Sequence, residues 1–202
     1  TEIYTLSLHD ALPISYKASH PNIKQINIIS AEEMYQACHT YFSKTDITVM
    51  AAAVADFAPA DVKTDKIKKE AHLPVINLKP TKDILASLGK IKGKEQVLIG
   101  FALETNNEIE NAKKKLINKN LDFVVLNSLN DKGAGFKTTT NKISIISHNK
   151  EQHFELKSKQ EVANDIVSEI ISLINIKKHH KNNQETLRSE ERRVGKECRS
   201  RW

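Results

Sequence analysis

Gln96–Asn127 reads QVLIGFALETNNEIENAKKKLINKNLDFVVLN, and the pattern in it decides the fold. Gln96–Leu103 is a short apolar run with no polar face, as expected of a strand covered on both sides. Thr105-x-x-Glu108 has the spacing of a capping box, in which two side chains satisfy orphan N–H groups at a helix start. The residues after it place Ile109, Ala112, Leu116 and Ile117 on one face, at helical spacing. Asn120 stands where a left-handed residue would end that helix. Phe123–Leu126 (FVVL) is a second apolar strand. Strand, helix and strand in this order predict a parallel crossover.

The flanking sequence extends the pattern. Upstream, Ile23–Ile28 alternates weakly, and Ser30-x-x-Glu33 opens a helix over Ala31–Phe42. Thr48–Ala53 reads as a buried strand, Val54–Lys69 as a loop, and Val75–Leu78 as a short strand. Thr81–Leu88 reads as a short helix capped by Thr81. Downstream, Lys142–Ser147 and His153–Leu156 alternate around a polar turn and predict a hairpin. Ser158-x-x-Glu161 caps a last helix that buries Val162, Ile166, Val167, Ile170, Leu173 and Ile174. The whole predicts an α/β fold: a Rossmann-like, open, mostly parallel sheet with helices on both faces and a C-terminal β-hairpin.

The 202 residues suffice for one domain, and with 39% hydrophobic and 28% charged residues the chain can form a core. Its two cysteines, Cys38 and Cys198, exclude a disulfide-stapled scaffold and a cysteine zinc site, and fit a reducing, cytoplasmic setting. No apolar run approaches the roughly 18–20 residues of a membrane span. The net charge of +6 invites a nucleic-acid partner, but it is unevenly spread. Residues 177–202 hold nine Lys or Arg against four Glu, a surplus of +5, while Tyr16–Ile176 carry only +3. A nucleic-acid or membrane partner is therefore not predicted. Thr1–Ser15 and Arg188–Trp202 resemble translated sequencing-adapter read-through. The expected division is a non-native segment over 1–15, a domain over 16–176 and a basic tail over 177–202, its last fifteen residues non-native.

Chemistry-bearing residues gather at the strand ends, where open α/β sheets bind ligands. Met50, Ala51 and Ala52 lead into Asp56, which could hold a ribose, a base amine or a metal ion, or could simply cap the turn. Lys66, Lys68 and Lys69 could close over phosphates or form a solvated loop. Lys82, Asp83, Ile84 and Leu85 stand at a predicted helix start, where Asp83 either complements the helix dipole or holds a nucleobase. Gly100 allows close approach of a ligand or of backbone. Phe101 could stack on a base or fill the core. Lys115 and Lys119 share a helix face and could line a phosphate channel or sit in solvent. Asn127 ends the third strand. No G-x-G-x-x-G follows a strand, and no Walker A, H-E-x-x-H or G-x-S-x-G is present. The eight histidines show no metal-ligand spacing.

Ala51–Lys69 (AAAVADFAPADVKTDKIKK), Leu78–Leu85 (LKPTKDIL), Ile99–Thr105 (IGFALET) and Lys113–Asn127 (KKKLINKNLDFVVLN) resemble phosphopantothenate–cysteine ligase, over roughly Tyr16–Ile176. The resemblance implies an enzyme of coenzyme A biosynthesis, usually fused to a flavin-dependent phosphopantothenoylcysteine decarboxylase. Its substrates are 4′-phosphopantothenate, cysteine and CTP with Mg²⁺, and FMN belongs only to the decarboxylase half. A homodimer through the ligase domain is implied, and a higher oligomer if fused. By position, Met50, Ala51, Ala52, Asp56, Lys82, Asp83, Ile84, Leu85, Phe101, Lys115 and Lys119 match nucleotide contacts. Lys66 matches a catalytic mobile-loop lysine, and Asn127 a possible substrate contact. Lys82 stands where the family often has Pro. The family's G-x-T-x-E-x-I-D-P-V-R and N-x-S-S-G-x-M-G segments do not occur, which implies an incomplete domain, inactive alone. Two other readings remain: a non-catalytic Rossmann-like nucleotide- or RNA-binding module, and a dehydrogenase-type cofactor domain, which the missing glycine fingerprint weakens.

Overall fold

A computed structural model describes residues 3–8, 20–61, 75–128 and 139–199, with side chains over 20–61, 75–127 and 139–179. The chain divides into two units, Thr1–Phe101 with Lys115–Leu121, and Ala102–Lys114 with Asp122–Trp202.

In the first unit, β1 (Ile3–Leu8) pairs in parallel with β2 (Ile23–Ile28), from Ile3↔Ile23 to Leu8↔Ile28. The sequence excluded Ile3–Leu8 from the fold; its run of Ile, Tyr, Thr and Leu has the composition of a strand. α1 (Ala31–Phe42) has the predicted bounds. Ser30 Oγ accepts from Glu33 N at 3.2 Å, and Glu33 Oε2 accepts from Ile29 N at 2.7 Å, so the capping box forms with its return bond one residue before the cap. Met34, Cys38 and Phe42, four residues apart, are buried. At the other end, Gln96 Nε2 donates to Phe42 O at 2.6 Å and Thr45 O at 2.8 Å, satisfying carbonyls the helix leaves open.

Next come β3 (Ile47–Met50), a ribbon of β4 (Phe57–Pro59) against β5 (Leu78–Pro80), α2 (Ile84–Ile91) and β6 (Val97–Glu104). β3 lies parallel to β6 in register Ile47↔Val97 to Met50↔Gly100. It is shorter and more open than the buried strand predicted over Thr48–Ala53. It is an edge strand, and Ile47 and Val49 are 40% and 44% exposed. The predicted strand at Val75–Leu78 moves to Leu78–Pro80. The helix predicted from Thr81 starts at Ile84 because Asp83 Oδ1 accepts from Ala86 N at 2.9 Å, whereas Thr81 Oγ1 donates to Ala55 O at 2.6 Å. Leu88, Leu98, Ile99 and Leu121 are fully buried and form this unit's core, each such side chain contributing about 1.5–3 kcal/mol.

The remaining elements are α3 (Glu108–Asn118), β7 (Phe123–Ser128), β8 (Thr140–Asn141), β9 (Ile143–Ser147), β10 (Glu151–His153), β11 (Lys157–Ser158) and α4 (Lys159–Arg199). The five-stranded sheet runs in the order β10-β9-β7-β6-β3, with the predicted hairpin antiparallel to β7. The Rossmann-like, mostly parallel α/β class holds. Asn107, at φ 48°, precedes the first helical residue, and Asn111 Nδ2 donates to Glu104 Oε2 and Asn106 O, both at 3.1 Å. Ala112 and Leu116 are buried as expected, but Ile109 and Ile117 are not. Ser158 and Glu161 form the third box as predicted. Val162, Ile166 and Ile170 are buried, and Val167 faces out. The helix continues to Arg199, through the predicted tail. No helix among the described residues is long and apolar enough to cross a membrane.

Candidate functional site

All the described nucleotide candidates lie in the first unit, and a chain of contacts links segments far apart in sequence. β3 brings Met50 opposite Gly100, and both Ala51 and Ala52 beyond it are exposed. Asp56 is exposed at the foot of the β4–β5 ribbon, where its carbonyl accepts from Thr81 N at 2.9 Å. That bond, with the Thr81 hydroxyl on Ala55, holds Lys82 and Asp83 beside the turn that follows β3. Lys66 falls between β4 and β5 in sequence and lies outside the described residues, as do Lys68 and Lys69.

Asp83 ties two helices. One carboxylate oxygen caps α2, and Oδ2 meets Lys119 Nζ at 2.7 Å. Desolvation is the largest single influence on this carboxyl and pushes its pKa up. The hydrogen bonds from Lys119 and Ala86 N–H, with the charges of Lys119 and Lys115, outweigh it and hold the group below its ordinary 3.8. Lys115 takes a different direction, donating to Phe101 O at 2.6 Å. Lys115, in the last turn of α3, holds the middle of β6, whereas Lys119, one residue past the end of that helix, holds the start of α2. Phe101 is half-buried, neither a core residue nor a free one.

Lys82 pairs with Glu32 Oε1 at 2.7 Å and lies 4.4 Å from the centre of the Tyr35 ring. Glu32 is lowered in pKa, first by the Lys82 hydrogen bond and then by Gln36. Sequence reasoning missed both α1 partners because it read the first turn only for Ser30 and Glu33. Both side chains of this pair are exposed, so solvent screens it and a stronger anion could draw Lys82 away.

Ile84 and Leu85 are buried, so their side chains belong to packing, and what they can offer a ligand is the first free N–H groups of α2. Gly100 is explained by packing too. A Cβ there would lie 2.7 Å from Leu85 Cδ2 and 3.0 Å from Leu121 Cδ1. Gly89, which the sequence reading did not single out, is tighter still: its Cβ would sit 1.9 Å from Lys119 O. Asn120, at φ 51° in the left-handed region as expected of a cap, donates Nδ2 to Gly89 O at 2.8 Å. Gly89 and Asn120 thus set where Lys119 stands. Asn127 lies in the second unit, half-buried, its Oδ1 accepting from Asn141 Nδ2 at 3.2 Å.

The arrangement offers a carboxylate, three ammonium groups, open helix N–H groups and an aromatic edge at strand ends. That set can hold a base amine and a polyphosphate. Among the described residues no three His, Cys, Asp or Glu side chains group as a metal site.

The DNA/pantothenate metabolism flavoprotein C-terminal domain family matches residues 12–174. The chain is 39% identical over 164 residues to the coenzyme A biosynthesis bifunctional protein CoaBC of Bacillus subtilis, covering 80% of this chain and 40% of that protein. It is 51% identical over 163 residues to a cysteine/cysteine sulfinic acid decarboxylase of an unknown prokaryotic organism, covering 80% and 45%. The crystal structure of the C-terminal domain of a CoaBC superposes with a TM-score of 0.66 at 31% identity, over 86% of this chain and 77% of that one. The chain spans less than half the length of these two curated relatives.

Proposed function

The chain belongs to the DNA/pantothenate metabolism flavoprotein C-terminal domain family, and on that premise we propose that it carries the nucleotide site of a CTP-dependent phosphopantothenate–cysteine ligase. The observation that carries this reading is the meeting, within one unit, of the end of β3, the start of α2, the middle of β6 and the end of α3, through Thr81–Asp56, Asp83–Lys119 and Lys115–Phe101. These are the segments that resemble the ligase.

In the first step the carboxylate of 4′-phosphopantothenate attacks the α-phosphorus of CTP, and pyrophosphate leaves. In the second the amine of cysteine attacks the acyl carbon of the mixed anhydride, and CMP leaves. Asp83 suits the base: a carboxylate accepts from the 4-amino group of cytosine, and the base edge of ATP does not present the same pattern. Lys115 and Lys119 suit the phosphates, and Lys66 is assigned to the reacting one, where an ammonium can stabilise developing charge. The described residues make no protein-held magnesium site. Mg²⁺ is therefore proposed only as the nucleotide's own counter-ion, which needs few protein ligands. FMN is assigned to a decarboxylase half, and a homodimer remains part of the proposal.

The test is heat protection of the chain. CTP with Mg²⁺ is expected to raise the melting midpoint more than ATP or NAD at equal concentration. Equal protection by all three would contradict the reading. A second reading, decarboxylation of cysteine or cysteine sulfinic acid by the whole protein, is favoured by the 51% identical relative's name. Release of CO₂ from either compound without CTP would support it; cysteine-dependent release of CMP would support the ligase. Salt-sensitive RNA binding that survives removal of residues 177–202 would instead favour a binding module.

A further inference from the structure

Within the first unit, three side chains of α1 form a row against the start of α2. Glu32, Tyr35 and His39 lie three and four residues apart, so they share one helix face. Glu32 holds Lys82, and the Tyr35 ring lies beside both Lys82 and the His39 ring, whose centre is 4.3 Å away. His39 Nε2 is 2.9 Å from Ser87 Oγ, a part-buried contact between residues 48 apart in sequence. The proton in that contact can be assigned. Ser87 Oγ lies 2.7 Å from Ile84 O, a carbonyl that only accepts, so the hydroxyl proton is spent there. Ser87 Oγ must therefore accept from His39, and the neutral imidazole carries its proton on Nε2. Ser87 N also donates to Asp83 O at 3.0 Å. Through one serine, His39 thus reaches the two residues that open α2.

We propose that His39 is a positioning residue for the nucleotide site, acting through Ser87 on the turn that carries Asp83. The inference rests on the ligase reading. Asp83 both caps α2 and is the group assigned to the base, so any shift of that turn carries the carboxylate off the cytosine amine. Lys82, which meets the same α1 face, is exposed together with its partner, whereas His39 and Ser87 are half-buried. The histidine therefore keeps the turn in place when an anion draws Lys82 away. A space-filling role at this position asks only for shape, but positioning asks for a donor. His39→Phe keeps a ring against Tyr35 and removes the donor, and Ser87 keeps its bond to Ile84 O. His39→Gln returns a side-chain N–H. Ser87→Ala removes the acceptor from the other side.

The experiment is calorimetric titration of the 202-residue chain and these variants with CTP and ATP, each with Mg²⁺, beside ¹⁵N spectra of the histidine rings. At a pH where the imidazole is neutral, the His39 signal, identified by its loss in His39→Gln, is expected to show a protonated Nε2. His39→Phe and Ser87→Ala should each weaken CTP roughly three- to tenfold, the range of one neutral hydrogen bond, and ATP less. The double variant should bind CTP no more weakly than either single one, because both remove the same contact. His39→Gln should bind CTP like the unchanged chain. Should His39→Phe not fold, Ser87→Ala and the ring spectrum decide. A proton on Nδ1, CTP affinity unchanged in Ser87→Ala, additive losses in the double variant, or a His39→Gln chain as weak as His39→Phe overturns this inference alone. An unchanged chain that binds CTP no better than ATP overturns it together with the ligase reading.

Discussion

Asp83 shows how one residue can serve structure and ligand at once, and how a careless substitution would confuse the two. Asp83→Ala removes the cap of α2, which costs about 1 kcal/mol, along with any contact to a base. Asp83→Asn keeps a capping oxygen but loses the charge that holds Lys119. Asp83→Asn is therefore expected to melt close to wild type yet bind CTP several-fold more weakly, read by calorimetry beside a thermal scan. The pH dependence has a definite sign. The folded carboxyl titrates below its ordinary value, so its contribution is complete above that value and is lost as pH falls through the lower folded one. Asp83→Asn should accordingly flatten the acid limb of a stability-versus-pH curve. Cys38 is a second case. Burial pushes its thiol up to about 11, so in a Cys198→Ser background a thiol reagent at neutral pH should label it slowly until denaturant is added. Fast labelling of the native protein would contradict its burial. Residue types and spacing revealed which side chains to examine, but not their partners. Glu32 and Asn141 are far in sequence from the residues they hold, and pairwise contact of that kind leaves no periodic trace.

Among the elements, the contact between α2 and the end of α3 is the one on which the site depends. Gly89→Ala makes the test because two effects oppose. Replacing glycine inside a helix gains up to about 1 kcal/mol in propensity. Forcing a methyl group to within 1.9 Å of Lys119 O requires the backbone to move, and overpacking of that kind costs about 1–3 kcal/mol. The clash should win. The expected result is a lower denaturant midpoint and weaker CTP binding, because Lys119 moves with the carbonyl. A stabilised Gly89→Ala would mean that the helices do not approach this closely. Element types were legible from the sequence where a local device specifies them. The Ser30 and Ser158 boxes formed with their predicted glutamates, and Asn120 took its left-handed cap. β3 misled because an apolar run reads alike at the centre and at the edge of a sheet.

For the whole molecule, the opening surplus of positive charge loses its weight as a nucleic-acid signal. Most of it lies in residues 177–202, at the far end of α4, and the site uses basic residues one at a time. The fold class followed from the order of elements, and the site from motif segments that the fold then joined. The register that puts Met50 beside Gly100, and the pairing of Asp83 with Lys119, required coordinates. The central claim is that this joined set is a cytidine nucleotide site, and calorimetric titration of the 202-residue chain with CTP and ATP, each with Mg²⁺, tests it most directly. CTP is expected to bind more tightly than ATP, and Lys119→Met to weaken CTP binding roughly tenfold, about 1.4 kcal/mol. Equal affinity for the two nucleotides, or CTP binding untouched by Lys119→Met, would contradict it.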